Sequence, residues 1–335
     1  MKVLMTSILC HSGLMTHVQD LLKYCRDSSI QAGAAFLRTQ YVSPAEAEEL
    51  KQGLGEVETW EYEKDEELLK IAAEGDWDLI HAHSFLTFKA AALAAAEARI
   101  PLVVTLHSVF LWGAVYWDVL AQARRIIAVG PAQARYLGPW KRKTVIIPNG
   151  VDLTVFKPKR TPDNEEISIL WFGRVDGRLS RGLQVLDEVA PLLPAGIRLR
   201  AVGQADIHLK NIPITGWVKD PVAELQRSHI TFAHGRSLRE AMACGSIGML
   251  LGHGYGGRVT PQLLERLNYA TDAFPQYHLP QPKPEALLHD ILAIARSGEI
   301  EALRKKARQI AENYFDVKNM GRKTLSVYRE ALGKE

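Results

Sequence analysis

The feature that most constrains this chain is a repeating alternation of short apolar runs with longer segments of helical period. Residues 2–7, 102–106, 125–128, 167–172, 230–233 and 247–251 are strand-length apolar runs, and the stretches between them carry apolar residues at i, i+3 and i+4. Strands separated by helices cannot pair as hairpins. They pair in parallel, with helices packed on both faces of the sheet. In order, the spacing predicts strand 2–7, helix 14–25, strand 34–37, helix 44–52, a weak strand near Val57, helix 65–73, strand 78–81 and helix 85–96. Strand 102–106, helix 114–121, strand 125–128, helix 131–137 and strand 144–147 complete a first series.

A chain of 335 residues exceeds what one core usually supports. Pro148-Asn149-Gly150 ends the first series, and the charged, proline-containing stretch 157–166 reads as a linker. A second series follows: strand 167–172, helix 183–193, strands 199–202 and 212–215, helix 221–227, strand 230–233, a helix near 237–245, strand 247–251 and helix 261–268. Three terminal helices are predicted at 284–296, 300–313 and 317–332. Two doubly wound domains with a cleft between them are therefore expected. Their ligands should lie at the carboxyl ends of the strands.

With 41 Lys+Arg against 38 Asp+Glu, the charge is too balanced to argue for nucleic acid. Three cysteines without paired spacing fit a reducing, cytoplasmic compartment. No apolar run reaches spanning length, and the first nine residues are too short and too polar for a signal peptide.

Four of the loops after strands hold suggestive residues. His234 to Gly245 runs as strand, glycine turn and a helix opening at Ser237. Ser237-x-x-Glu240 has the spacing of a capping box. The same N–H groups and helix dipole also suit an anionic ligand, with Glu240 accepting hydroxyl hydrogen bonds from a sugar or ribose. The residues leave both readings open. After the first strand, Gly13 stands beside a helix start, either a phosphate approach or a plain turn. His107 sits at a strand tip, where a structural role is the simpler reading. In 171–182, Arg174, Arg178 and Arg181 alternate with Gly173, Gly177 and Gly182. Guanidinium groups bind phosphate bidentately, and this loop favours a phosphate site over a solvated charge run.

Six segments resemble retaining glycosyltransferases of family 4, which have the GT-B fold. They are Gly13 through His17; Asp78-Leu79-Ile80-His81-Ala82-His83; Pro101 through His107; Ile147 through Asp152; Gly173-Arg174 with Arg181-Gly182; and Leu238 through Gly245. The resemblance implies an acceptor-side domain over 1–152, a nucleotide-sugar domain over 153–315, and a helix over 316–335 crossing back to the N-terminal domain. It implies that Glu240 binds the ribose of a nucleotide-sugar donor and that Arg174 and Arg181 hold the diphosphate. Backbone amides near Gly13 and at Ser237-Leu238 would assist, and His107 would line the sugar pocket. His17, Gly173 and His234 complete the expected donor set with the backbone around Gly203, Gly216 and Val218, where the base would be read. Transfer would retain configuration and need no divalent metal and no cofactor, because the arginines stabilise the leaving diphosphate. The acceptor could be a saccharide, a lipid-linked molecule or a small molecule.

The sequence departs from the family pattern in three places. The position eight before Glu240, where the family has a first glutamate, is Phe232, and His234 is a candidate substitute. Arg181 stands where a lysine is usual, in a loop two residues longer. Residues 252–258 are unusually rich in glycine. A non-catalytic sugar-nucleotide binding protein and a nucleotide-sugar epimerase are the alternatives.

The remaining motifs carry less. The glycines at 252, 254 and 257 satisfy a dinucleotide pattern but do not open a helix. Asp76-Trp77-Asp78 reads as a loop and strand start. His81 and His83 share a strand face but find no Cys or carboxylate nearby to complete a metal set. Residues 139–143 are basic enough for peripheral membrane contact, although a solvated loop is the better reading. Trp112, Tyr116 and Trp117 are candidates for acceptor stacking or for core.

Overall fold

The computed structural model describes residues 1–159, 166–173, 180–204, 207–216, 218–271 and 279–334. Residues 1–150 and 317–335 form one compact unit, and 151–316 form another.

In the first unit, β1 (Lys2–Ile8), β2 (Gln31–Leu37), β3 (Glu58–Tyr62), β4 (Leu79–Ala82), β5 (Leu102–Leu106), β6 (Arg125–Ala128) and β7 (Thr144–Ile146) make one sheet. Its order is β3-β2-β1-β4-β5-β6-β7, and every pair is parallel. The intervening helices are α1 (Gly13–Asp27), α2 (Pro44–Gln52), α3 (Asp65–Glu74), α4 (Phe88–Glu97), α5 (Trp112–Val115) and α6 (Trp117–Gln122). Both faces are buried, as parallel sheets require. Leu4, Ile80, Val104 and Ile126 enter a layer with Phe88, Trp112 and Leu120. Their neighbours Val3, Met5, Leu79, Val103 and Ile127 enter the opposite layer with Met15, Val18 and Leu21. Met320, Val327 and Tyr328 of the chain's last helix, Val317–Ala331, complete that second layer, so the C-terminal helix belongs to the N-terminal unit.

In the second unit, β8 (Ile167–Phe172), β9 (Ile197–Val202), β10 (Ile214–Thr215), β11 (Ile230–Ala233), β12 (Ile247–Leu251) and β13 (Tyr255–Arg258) follow the order β10-β9-β8-β11-β12-β13. The helices are α7 (Ser180–Val189), α8 (Pro221–Gln226), α9 (Gly235–Ala243), α10 (Pro261–Arg266), α11 (Pro284–Arg296) and α12 (Ile300–Tyr314), and α13 (Val317–Ala331) returns to the first unit. Two Rossmann-like sheets of this kind constitute a GT-B fold.

The structure corrects several expectations. The glycine-rich stretch after β12, for which no element was expected, ends in a strand: its last four residues form β13, antiparallel to β12. The near absence of side chains there hid the period-2 signal that marks a strand. Residues 131–137 form turns rather than a helix, closed off by Gly138 at φ +55. The helix expected at 114–121 is broken at Tyr116 into α5 and α6. The strand near Val57 runs over Glu58–Tyr62. Among the described residues, no helix is long and apolar enough to cross a membrane.

Candidate functional site

In the first unit, sheet order decides which side chains meet. β1, β4 and β5 are neighbours, and each delivers a histidine at its carboxyl end. His83 directly follows β4, His107 directly follows β5, and His17 lies one turn into α1, the helix that follows β1. Their rings are close: His17 is 4.7 Å from His107 and 5.3 Å from His83, centroid to centroid, and His83 is 5.7 Å from His107. His17 Nδ1 lies 2.9 Å from Asn149 Oδ1, and His83 Nδ1 lies 3.5 Å from His107 Nε2. Gly13 opens α1 with Ser12 as an extended N-cap whose side chain makes no capping bond.

His81, two residues before His83, shares its face of the sheet and lies 3.9 Å from it, centroid to centroid, with the rings tilted by 43°, but it has a different role. Its Nδ1 is 2.6 Å from the Tyr328 hydroxyl of α13 and its Nε2 is 2.7 Å from Thr105 Oγ1. Both nitrogens are engaged within the protein, so His81 ties α13 to the sheet. Burial first, and then the neighbouring imidazoles, push His81, His83 and His107 well below the usual histidine range. All three are therefore neutral at physiological pH.

The second unit presents a different surface at its carboxyl edge. Gly173 ends β8 with φ +137, and Gly203 ends β9 with φ +132. A Cβ on Gly203 would lie 2.2 Å from the Gly173 carbonyl oxygen, and a Cβ on Gly173 would lie 3.2 Å from Ser237 Oγ. The ends of β9 and β8 thus meet through backbone, with the Ser237 side chain of the helix that follows β11 beside Gly173. Gly216 follows β10, where a Cβ would meet nothing within 4 Å, and Val218 is half-buried against the layer formed by Leu170, Phe172 and Val202.

Helix α9 begins two residues earlier than its spacing predicts. Its N-cap is His234 in extended conformation, and Gly235 takes φ +59 to turn directly from β11 into the helix. Thr271 fixes this start: its carbonyl accepts the Gly235 N–H at 2.6 Å, and its hydroxyl donates to the Gly235 carbonyl at 2.9 Å. The capping box is therefore overturned. Ser237 is the third helical residue, not the cap, and Glu240 lies in the second turn, where Oε1 accepts from Arg236 Nε at 2.7 Å. The Leu238 amide lies inside the intrahelical ladder and the Leu238 side chain is fully buried, so the first-turn N–H groups that can face a ligand end at Ser237.

Of the residues singled out by sequence, the structure brings His17 and His107 together in the first unit, and Gly173 and Ser237 in the second. Arg181 is exposed at the second position of α7, while Arg174, Gly177 and Arg178 lie outside the described residues. Phe232 sits in β11 with its side chain fully buried in the core, two residues before the edge that His234 occupies. Trp112 is core, with its Nε1 donating to the Ser108 carbonyl, while Trp117 is exposed and packs edge-on against Trp140. Sequence reasoning passed over Arg236 as a partner of Glu240, although the i, i+4 spacing signals it. It also missed Thr271, which carries no local signal, and it left His83 out of the site although that residue ends a strand beside His107.

Residues 12–155 match the family model described as Glycosyltransferase Family 4. No curated protein matches the sequence. Among solved structures, Anabaena Alr3699/HepE in complex with UDP and glucose is similar, with a TM-score of 0.73 and 18% identity over 98% of this chain and 100% of that one. A glycosyltransferase from Rickettsia africae ESF-5 gives a TM-score of 0.77 and 16% identity over 100% of this chain and 99% of that one. The lipopolysaccharide outer core galactosyltransferase WaaB, in its apo form, gives 0.66 and 13% over 98% and 100%.

Proposed function

We propose that this GT-B chain, whose first unit carries the family 4 glycosyltransferase match, is a retaining glycosyltransferase that moves a hexosyl group from a uridine-diphosphate sugar to an acceptor hydroxyl. The observation that carries the reading is the backbone-lined edge of the second unit. There Gly173 and Gly203, at the ends of β8 and β9, donate their own N–H groups to Val202 and Thr215, and their lack of side chains leaves the N-terminus of α9 beside Ser237 for a diphosphate. The Anabaena relative has also been crystallised with UDP-glucose, which supports uridine as the base.

In this reading Glu240 accepts the ribose hydroxyls and Arg236 holds its carboxylate in place. Arg174 and Arg181 neutralise the departing diphosphate, so that no divalent metal is needed for the leaving group. His107 lines the sugar pocket. His234, at the N-cap, takes the place of the glutamate that counting alone would put at Phe232. Gly216 and Val218 lie where the base is read through backbone groups. The acceptor is a saccharide, a lipid-linked molecule or a small molecule, and the basic stretch 139–143 would suit an acceptor held at a membrane surface.

Phe232 in the core favours a second reading, a sugar-nucleotide binding protein without turnover. Calorimetry with UDP, GDP, ADP and TDP, followed by donor hydrolysis and an acceptor panel, separates the two. UDP binding with hydrolysis or transfer supports the transferase. Binding without turnover supports the second reading, and no nucleotide binding sinks both.

A further inference from the structure

We propose that His17, His83 and His107 form a binding site for one late-transition divalent metal ion of the zinc class, with an open coordination position. One nitrogen of each ring lies within 4.8 Å of the other two. The 3.5 Å between His83 Nδ1 and His107 Nε2 is close to the separation of two ligands on a four-coordinate zinc, about 3.4 Å for bonds of about 2.1 Å. Three imidazoles with no carboxylate among them make a borderline-soft donor set, which suits zinc, cobalt, nickel or copper rather than magnesium or calcium.

Two further observations separate these rings from structural histidines. His81, on the same strand, has both nitrogens engaged by hydroxyl groups, whereas His83 Nε2 is buried with no partner and His83 Nδ1 meets only another histidine. The His83 ring therefore ties no other part of the fold, and Nδ1, the nitrogen that faces His107, is the one placed to take a metal. His17 is oriented as metal-bound histidines are: its Nδ1–H donates to the Asn149 side-chain oxygen, which places the ring's lone pair on Nε2. His107 keeps part of its surface accessible, which provides a path of entry to two otherwise buried ligands.

Such a site differs in kind from a metal that would neutralise a diphosphate, because it lies on the first unit and offers only nitrogen. It stands independently of the transferase reading, and its test reads metal directly. Chelator-treated, tag-free full-length protein is dialysed against micromolar zinc and the bound metal is counted. A parallel titration with cobalt is followed by its visible absorption, which is intense for tetrahedral coordination. One ion per chain is expected, with tetrahedral cobalt bands and no binding of magnesium. His107→Ala, at the accessible edge of the site, should weaken binding by at least tenfold while circular dichroism and the melting profile stay native. His17→Gln should act in the same direction. His289→Ala, which removes an exposed histidine on α11, should leave binding unchanged. Absence of bound zinc in the wild type overturns the proposal. So does a folded His107→Ala protein that binds zinc as tightly as wild type, or an equal loss in His289→Ala.

Discussion

The carboxyl edges of the two sheets are built from opposite materials. In the first unit the strand ends deliver imidazoles: His83 after β4, His107 after β5 and His17 in α1. In the second unit they deliver glycine, with Gly173 after β8 and Gly203 after β9 so close that a single Cβ would strike the neighbouring backbone. An edge made of side chains writes itself into the sequence as residue types, whereas an edge made of backbone does not. The matches follow that division: the family model covers residues 12–155, while structural likeness extends over nearly the whole chain.

The sharpest way to break this contrast is to put a charged side chain into each part of the second edge. Phe232→Glu restores the glutamate that the family count calls for, but at a fully buried position of β11. It removes a core aromatic and buries a carboxylate, so unit 151–316 should lose about 5 kcal/mol, close to its entire stability. His234→Glu places the same group at the N-cap of α9, where the helix dipole favours it, and should cost less than about 1 kcal/mol. Urea unfolding of the two variants checks the pair, and equal stabilities would refute the assignment of His234 to the edge. Gly203→Ala comes next in size. The methyl group meets the Gly173 carbonyl at 2.2 Å in a backbone conformation that side chains rarely adopt, so a loss of about 3 kcal/mol is expected, together with weakened UDP binding.

How much was legible depends on what each region is made of. The strand limits of β5, β6, β8, β11 and β12 follow directly from their apolar runs, because a strand buried on both faces is a continuous hydrophobic word. β13 was invisible because it consists of a tyrosine, two glycines and an arginine. The start of α9 was misplaced for a more instructive reason. Ser-x-x-Glu occurs twice: at Ser43 it forms a true capping box, with the Glu46 side chain accepting the Ser43 N–H at 2.8 Å, and at Ser237 it does not. The difference lies upstream. Pro44 favours the first helical position and leaves Ser43 extended, whereas Gly235 can take a positive φ and start the helix before Ser237 is reached. Thr271, 36 residues on in the chain, locks that start, and no local reading could have supplied it.

The second unit also has a pH response of its own. His229 Nδ1 accepts the Ser168 backbone N–H at 3.0 Å, and burial, helped by Arg304, holds the ring below the usual histidine range. The unfolded chain therefore takes up a proton near pH 6.5 that the folded unit refuses. The contribution is fully present above that pH and is progressively lost as the pH falls below it towards the lower pKa of the folded unit. Chemical denaturation at pH 7.5 and 5.5 measures it, and His229→Gln should flatten the slope. An unchanged slope would show that this ring does not titrate with unfolding.

The smallest expected effect tests the most specific assignment. Glu240 and Arg236 pair one turn apart on α9, each only 13% exposed. Glu240→Ala removes the proposed ribose acceptor and leaves Arg236 without this partner, so UDP affinity should fall about tenfold, equivalent to about 1.4 kcal/mol. Glu240→Gln keeps an oxygen that can accept from both Arg236 Nε and a ribose hydroxyl while losing the charge, and the fall should be nearer threefold. Because neither side chain caps the helix, both variants should melt within a few degrees of wild type, which separates a binding effect from a folding one. Wild-type affinity in both variants would remove Glu240 from the nucleotide site and leave the backbone edge at Gly173 and Gly203 as its principal determinant.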